Sequence, residues 1–554
     1  MLANANAFHI EDEQLTKAIA NWEHSEQNKG QIYTKPEVVD FMLDCLGLNG
    51  ELWNKDVRVL EPSCGEGEFV VAIVKRLLNQ APADQVVPNL VGKLLAVDLV
   101  ADSIEITKKR VGELLMGHGV SNKDAELLKN SWFKNSDFLL DNTPCGFTHI
   151  VGNPPYVRVE DIPKRLLEEY RSRFVSMTDR ADLYIPFYEK SLNLLRPKGA
   201  LSFICTDRWT KNRYGKGLRK LISEQYGLEL FIDLYGVDAF TTDVMTYPAI
   251  TQIRKAKSDS VALIHGSSFS ASEAEEVVAA ISGISSTIQL RKGIVNGAKP
   301  WLVCSPDQVR LIHHIENHFP TLEEAGCNVS IGAATGSNKV YIVDMDDVDV
   351  EPERLLPVIT AAEIKNGIVN WKGKYIINTY HNGEIIDIEN FPLLNEYLRS
   401  HKETLSGRHV AKKNPDLWYK TIDKVHEDRA AEPKLLIPDI ASDPVVVVDE
   451  GVYHPNNSIY YIRSNEWNLY ALKFVLMSDV TKLFISTYST KISGGYMRYQ
   501  AQHLRKIRLP RWGSIKEDLR DRLIDAGMNN NSNNIDLIME LYELDNNHRV
   551  LLGG

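Results

Sequence analysis

The apolar run Thr148-His149-Ile150-Val151 ends abruptly in Gly152-Asn153-Pro154-Pro155-Tyr156. Proline has no N–H for a central ladder and its fixed φ blocks regular extension, so a strand has to stop here. In an open α/β sheet, ligands bind outside the carboxyl ends of the strands. Asn153 therefore projects from a rigid strand end toward a crevice. Tyr156, one step further out, offers an apolar face and a polar tip. The set suits a planar amine, whose hydrogens the Asn153 side-chain oxygen and the Pro154 carbonyl accept while the Tyr156 ring stacks on it. Alone, the tetrapeptide reads equally well as a turn. It gains weight from what lies upstream.

A short apolar strand, Val57 to Leu60, runs into Glu61-Pro62-Ser63-Cys64-Gly65-Glu66-Gly67-Glu68-Phe69. A helix follows, with apolar residues at Phe69, Ile73, Leu77 and Leu78. Gly65 and Gly67 let the backbone approach a ligand closely. The dinucleotide fingerprint is absent, because Val70 stands where its third glycine belongs. Glu61 at the strand end would repel a pyrophosphate and suits the cationic amino group of a methionine-type cofactor. The next strand, Leu94 to Val97, ends in Asp98, a carboxylate placed to hold ribose hydroxyls. Each signal alone has an ordinary structural explanation, a turn or a helix cap. Their order and spacing together do not.

From Val38 to about Arg254 short apolar strands alternate with longer helical segments. The strands include Thr148 to Val151, Leu201 to Cys205, Leu230 to Leu234 and Ala249 to Ile253, with a helix over Leu183 to Leu195 and a turn at Pro197-Lys198-Gly199. The alternation predicts a mostly parallel sheet with helices on both faces. Residues 256–300 turn rich in serine and alanine and read as a connecting segment with one helix near Ser272 to Ile281. From Trp301 onward, short strands (Val340 to Val343, Tyr375 to Ile377, Lys434 to Ile437, Val445 to Val448) are punctuated by glycine, proline and asparagine, as in a separate α+β domain.

With these motifs in place, the chain resembles the amino-group DNA methyltransferases that make N6-methyladenine, in particular the TaqI-like, gamma-class enzymes of restriction-modification systems. The resemblance runs from about Gly30 onward. Gly30 to Val39 is similar to the family's N-terminal cofactor motif, and implies that Thr34 touches the methionine end of S-adenosylmethionine. Glu61 to Phe69 is similar to its glycine loop, with Ser63 in place of the commoner alanine. The resemblance assigns cofactor contacts to Thr34, Glu61, Ser63, Cys64, Gly65, Gly67, Asp98 and Asn153. Asn135-Ser136-Asp137-Phe138 adds Asp137 as acceptor of the cofactor's adenine amine and Phe138 as the residue packed on that ring. Asn153, Pro154, Pro155 and Tyr156 form the catalytic motif. Ala181 to Phe187 and Leu195 to Gly199 match the helix and turn that follow. The family also stacks a second aromatic on the extruded base; Phe240 is the choice here and Tyr247 the alternative, since the local spacing is longer than the pattern.

The implied fold is a Rossmann-like class I methyltransferase domain followed by an α+β target-recognition domain. The expected division is an N-terminal helical arm (1–29), a cofactor-binding and catalytic domain (30–255), a connector (256–300), a DNA target-recognition domain (301–512) and a helical tail (513–554). Gly332 to Ser337 fits the opening loop of the recognition domain, and Ser493 to Tyr499 a late DNA-facing loop.

The 554 residues allow two sizeable domains. The formal net charge of −11 argues, as an average, against a nucleic-acid binder. Phosphate contacts need only a local basic surface, however. Two acid-free stretches supply one: 211–220, with Lys211, Arg213, Lys216 and Arg219, and 491–511, with Arg498, Arg505 and Lys506 interleaved with Tyr496 and Tyr499. These seven cations and Tyr496 are the candidate DNA contacts. The six scattered cysteines form no metal or disulfide pattern, and no run approaches the ~18 apolar residues of a membrane span. A cytoplasmic monomer without metal or membrane contact is expected, acting on double-stranded DNA. Fewer than thirty residues precede the cofactor motif, so a cognate endonuclease is expected on a separate chain. The rival functions are an N-methyltransferase of ribosomal RNA or of protein glutamine, and a catalytically silent DNA-recognition subunit.

Overall fold

The computed structural model describes residues 32–50, 52–53, 55–241, 248–304, 306–365, 367–489, 491–492, 495–530 and 534–552, together with Lys17, Ile19 and Trp22. The chain divides into two compact units, Met1–Val303 and Cys304–Gly554. Tyr247, Ser493 and Gly494 lie outside the described residues. So does most of the expected N-terminal arm; its three described residues are helical, and Trp22 is buried.

The first unit is built on a nine-stranded sheet. Its strands are β1 (Val59–Glu61), β2 (Leu94–Asp98), β3 (Phe133–Asn135), β4 (Phe147–Gly152), β5 (Leu195–Thr206), β6 (Gly227–Asp233), β7 (Pro248–Arg254), β8 (Ser260–His265) and β9 (Leu290–Lys292). Their spatial order is β3-β2-β1-β4-β5-β7-β6-β8-β9. Neighbours are parallel except where β7 pairs with β5 and β6 and where β9 pairs with β8. The central strands read as unbroken apolar runs because helices cover both faces. Successive residues feed opposite cores. Val59, Val151, Ile204 and Ile232 pack with helices α1 (Pro36–Cys45), α2 (Glu68–Leu78), α3 (Ala101–Gly117) and α4 (Asn122–Trp132). Leu60, Ile150, Phe203 and Phe231 pack with α5 (Lys164–Arg173), α6 (Tyr184–Leu194) and α7 (Lys216–Gln225).

The chain leaves β1 toward β2 and β3, then returns to place β4 on the other side of β1. The order thus reverses between β1 and β4, and a crevice opens beyond their carboxyl ends. Both sequence motifs sit there.

Two expectations are corrected in this unit. Residues 256–300 are no connector: β8 and β9 extend the sheet, and helix α8 (Ala271–Ile281) buries Ala274, Val277 and Ala280 against it. Serines that suggested a linker instead cap or brace this helix. Ser270 Oγ accepts from the Glu273 N–H at 3.2 Å, and Ser286 Oγ donates to Glu276 at 2.8 Å. Pro197-Lys198-Gly199 is a bulge inside β5, with Lys198 at φ 64°, since Leu195 already pairs with Phe147 before the register shifts to His149–Ala200. Gly67, at φ 94°, begins α2; a Cβ there would stand 2.5 Å from Thr107 Cγ2 of α3, so only glycine allows this approach.

The second unit carries two four-stranded sheets. One is antiparallel throughout, in the order Cys327–Ile331, Ile459–Ser464, Lys434–Pro438, Val447–Asp449. The other runs Ile342–Asp344, Lys374–Ile377, Leu355–Ile359, His454–Pro455. The expected strand Val340 to Val343 is instead a helical turn, Asn338–Tyr341, closed by the Val340 and Tyr341 N–H groups on the Ser337 carbonyl, before the strand at Ile342. The residues expected as a separate tail belong to this unit, where helix Glu517–Met528 packs on helix Leu469–Leu476.

Candidate active site

Beyond β1 and β4 lies a cleft of about 900 Å³, measured out to its open mouth. Thr34, Ser63, Cys64, Gly65, Asp98, Asp137, Phe138, Asn153 and Pro155 all line it. Eight of the ten residues expected to hold a cofactor are therefore gathered on one wall, although the chain separates them by up to 119 residues.

Asn153 is fixed by its amide nitrogen. Nδ2 donates to the Ile32 carbonyl at 2.8 Å and to Thr34 Oγ1 at 3.2 Å. These bonds decide which way the amide faces, because only the nitrogen can donate to a carbonyl. Oδ1 is left buried without a partner. A buried carbonyl oxygen in that state is unfavourable by about 1–3 kcal/mol until a donor arrives. Ser63 Oγ adds a tie between the two strand ends, donating to the Asn153 backbone carbonyl at 3.2 Å.

Glu61 and Gly67 are not among the residues that line the cleft. Glu61 is 1% exposed and sits under Gly152, where an added Cβ would stand 2.2 Å from Oε1. Gly152 is thus the residue that lets a carboxylate lie against the end of β4. Neither Glu61 oxygen makes a hydrogen bond of ordinary geometry. Burial pushes its pKa well above the usual carboxylate range, and the neighbouring Ser63 amide offsets this only in part. Gly67 serves the α2–α3 approach described above.

Asp98 lies on the cleft wall with its carboxylate held by backbone: Oδ2 accepts from the Gly65 N–H at 2.8 Å and Oδ1 from the Val100 N–H at 2.9 Å. Burial raises its pKa against the lowering effect of these bonds. Asp137 is held in the same way. Its Oδ1 accepts from the Leu139 N–H at 2.8 Å, and its Oδ2 from the Tyr170 hydroxyl at 2.6 Å. Asp137 Oδ1 also accepts from the Leu140 N–H at 3.4 Å, so its Oδ2 is the oxygen with a lone pair left for a ligand. Around Asp137 the wall turns aromatic: the Phe138 and Phe187 rings lie 5.2 Å apart, and Tyr170 closes the end. A cleft with acids on one stretch and an aromatic cage on another fits a molecule that joins a cationic amino acid to a flat purine, as S-adenosylmethionine does.

Tyr33, Tyr170 and Phe187 also line the cleft and were given no role from sequence. Phe187 was within reach, since it ends the matched run Ala181 to Phe187. Tyr170 gives no local signal, being one aromatic on the apolar side of an amphipathic helix.

The Tyr156 and Phe240 rings meet with centroids 6.5 Å apart and planes at 83°, and Phe240 is 6% exposed, within the core of the unit. The Phe240 loop is fastened to the N-terminal motif. Thr34 bridges Phe240, the Lys35 N–H donates to the Ala239 carbonyl at 3.1 Å, and the Thr241 N–H to the Tyr33 carbonyl at 3.0 Å. One short strand edge thus positions Thr34, which orients Asn153, and Phe240, which faces Tyr156.

Among the expected DNA contacts, Arg219 is corrected. It is 2% exposed and donates to the carbonyls of Trp209, Asn212 and Ala298, so it braces the interior. Arg213 and Lys216 are exposed and Lys211 half-buried. In the second unit Tyr496 and Arg505 are exposed; Arg498 pairs with Asp439, Arg505 with Glu323 at 2.7 Å, and Lys506 sits 5.5 Å over the Tyr488 ring. No helix among the described residues is long and apolar enough to cross a membrane.

Comparison with known proteins agrees with this geometry. Residues 78–240 match the Eco57I restriction-modification methylase family, and residues 356–509 the TaqI-like C-terminal specificity domain. Type II methyltransferase M.PaeR7I of Pseudomonas aeruginosa is 42% identical over 97% of this chain and 96% of its own length. Type II methyltransferase M.XhoI of Xanthomonas vasicola is 41% identical over 90% of this chain and 94% of its own. Among solved structures, the Type IIL restriction-modification enzyme MmeI in complex with DNA shares the fold at a TM-score of 0.61, with 12% identity over 98% of this chain and 76% of that one. A strand-end amide facing a cleft shaped for S-adenosylmethionine, a specificity domain, and relatives that align almost end to end place the chain among the Type II methyltransferases, the S-adenosylmethionine-dependent DNA-modifying enzymes of restriction-modification systems.

Proposed function

We propose that this chain methylates the N6 amine of an adenine turned out of double-stranded DNA at a short recognition sequence. The observation that carries the proposal is Asn153, whose amide nitrogen is tied down while Oδ1 is buried and unpartnered. Such an oxygen asks for a donor, and an exocyclic amine brings two hydrogens.

The adenine amine is a weak nucleophile because its lone pair is delocalised into the ring. With one hydrogen accepted by Asn153 Oδ1 and the other by the Pro154 carbonyl, the nitrogen is drawn toward a pyramidal geometry and its lone pair points away from both acceptors. When bound, S-adenosylmethionine supplies an electrophilic methyl on a sulfonium. The new N–CH₃ bond forms as the S–CH₃ bond breaks, and the surplus amine proton leaves to solvent. Thr34, Ser63, Cys64, Gly65, Asp98, Asp137 and Phe138 would hold the donor. Rate comes from proximity and fixed dipoles. No side chain has to exchange a proton for the transfer itself.

Extruding a base costs a few kcal/mol. Stacking on an aromatic face returns about 1–3 kcal/mol, and Tyr156 with Phe240 at its edge offers one. The specificity-domain match supports DNA over ribosomal RNA or a protein glutamine, and the intact cleft supports an active enzyme over a silent recognition subunit. On this reading the chain works as a monomer in the cytoplasm, and any partner endonuclease is encoded separately.

The test is to express the chain, and its Asn153→Ala variant, in a methylation-free bacterial host and to map modified bases in the genomic DNA. N6-methyladenine at one short motif, absent with the variant, is expected. Modification at cytosine, or unmodified DNA from a folded chain that binds S-adenosylmethionine, would refute the proposal.

A further inference from the structure

The second unit presents a small three-stranded sheet, in the order Ile440–Ala441, Tyr496–Arg498, Lys491–Ile492, with an exposed face unlike a phosphate-binding surface. Residues Ile440–Ala441 pair antiparallel with Tyr496–Arg498, setting Ile440 opposite Arg498 and Ala441 opposite Met497. Met497 and Ala441 are buried, so alternation turns Tyr496, Arg498 and Ile440 to the other face. Tyr496 is 45% and Ile440 50% exposed. Between these two apolar groups stands one guanidinium.

Arg498 is held at both ends. Its N–H donates to Ser489 Oγ at 3.2 Å, and its carbonyl accepts from the same hydroxyl at 2.9 Å. Its Nε donates to Asp439 Oδ1 at 3.3 Å and Nη2 donates to Asp439 Oδ2. Asp439 is itself largely buried, and its backbone carbonyl accepts from the Tyr499 N–H at 2.7 Å. The side edge of the guanidinium is therefore occupied by Asp439, and the Arg498 side chain is 37% exposed. With its amide turned to satisfy its neighbours, Gln500 rests its oxygen on the end edge, 3.2 Å from Nη2 and 3.3 Å from Nη1. A neutral oxygen acceptor is thus the partner that this edge already takes.

The carboxylate decides what else the edge takes. Asp439 offsets most of the positive charge, and its own charge repels a phosphate, so the pair is a poor anchor for the DNA backbone. The end fork matches two neutral acceptors side by side, which would take the place of the Gln500 oxygen. Guanine O6 and N7 in the major groove are that pair.

We infer that Arg498, oriented by Asp439, reads a guanine of the recognition sequence through O6 and N7 and is a specificity-determining residue of this enzyme. The inference rests on the proposed DNA reaction. Its test is a binding cycle with the full-length chain and duplexes that carry the motif found by methylation mapping, each with one guanine replaced by 7-deazaguanine, which lacks the N7 acceptor. For wild type, one replacement should weaken binding roughly ten- to hundred-fold. For Arg498→Ala, that replacement should have no effect. Arg498→Lys keeps the charge but not the fork, and should lose the discrimination as well. Asp439→Asn, read the same way, should blunt it; these two variants carry the test if Arg498→Ala fails to fold by circular dichroism. Equal losses for wild type and variants at every guanine would overturn the inference. So would discrimination retained by Arg498→Lys, or a salt slope reduced by about one with specificity unchanged, the mark of a phosphate contact. A wild-type chain that modifies no DNA motif is a different result, and overturns the reaction on which the inference rests.

Discussion

Replacing Asn153 by aspartate separates two accounts of the site. If all that matters is a strong acceptor beside the amine, a carboxylate should serve at least as well as an amide. The geometry predicts the opposite at neutral pH. Asn153 Nδ2 donates to the Ile32 carbonyl at 2.8 Å and to Thr34 Oγ1 at 3.2 Å. In Asn153→Asp the donor becomes an oxygen. The Thr34 hydroxyl can turn and donate to it, but the Ile32 carbonyl cannot. One net bond of about 1 kcal/mol is lost, and a carbonyl is left unsatisfied at a further 1–3 kcal/mol. At 1.36 kcal/mol per tenfold, a total of about 2–4 kcal/mol lowers the population with its acceptor in place by roughly thirty-fold to several hundred-fold.

The same variant should recover as pH falls. Burial beside Glu61 and Asp98 raises the new carboxyl's pKa, and in its neutral form the O–H donates to Ile32 while the C=O accepts from the amine. That restores the amide's bonding pattern. The assay is single-turnover methyl transfer to a motif-containing duplex from pH 5 to 9, expressed at each pH as the ratio of variant to wild type so that other titrations cancel. The ratio should climb toward lower pH and fall as pH rises through the carboxyl's pKa. A ratio near one at high pH, or one flat with pH, would show that the Nδ2 anchors do not set the acceptor.

Three other outcomes follow from the same geometry. Glu61 has a folded pKa raised by burial, so its contribution to stability is present below the ordinary carboxylate pKa and is lost as pH rises through the folded value; Glu61→Gln should raise the Tm of the ligand-free chain at neutral pH and flatten its decline with pH, and an unchanged Tm–pH profile contradicts this. Arg219→Ala leaves three backbone carbonyls without their donor, so thermal unfolding should show a loss of about 3 kcal/mol, several degrees of Tm, while the salt slope of DNA binding stays the same; an unchanged Tm with a smaller slope would return Arg219 to the DNA surface. Phe240→Ala should reduce the fluorescence change of 2-aminopurine at the target position and slow transfer about ten-fold, with affinity for S-adenosylmethionine retained; a wild-type fluorescence response would remove Phe240 from the stacking face.

The sequence carried the strand ends, because prolines and glycines act locally and their consequences can be read without a structure. It carried the sheet for the same reason, as apolar runs of strand length are hard to satisfy otherwise. It misread residues 256–300 because serine serves linkers and helix caps alike, and only the partners of Ser270 and Ser286 tell these apart. Arg219 was lost among basic neighbours, although helical spacing sets it on the face of Leu218 and Ile222, apart from the exposed Lys216 and Lys220. Glu61 was legible as a strand-end acid but not as a buried one, since its burial depends on Gly152, ninety-one positions away, having no side chain. For Glu61 the missing term was a partner distant in sequence, whereas Ser270 caps a group only three residues away.

The arrangement of unsatisfied atoms explains why the site resists any reading from stability alone. Asn153 Oδ1 and both Glu61 oxygens are buried without partners within a few residues of two strand ends. Each is unfavourable by about 1–3 kcal/mol, and a fold selected only for stability would replace Glu61 with an apolar side chain and Asn153 with a turn-forming glycine. The strands on either side tolerate the load because β1 and β4 lie in the middle of nine, fully packed on both faces. Their rigidity keeps Oδ1 from collapsing onto a protein donor. An amine arriving there then meets an acceptor that needs no reorganisation, and the free energy withheld from folding becomes orientation of the nucleophile. The requirement is specific to the strand end: on a mobile loop the same asparagine would satisfy itself, and the acceptor would be gone before the base came in.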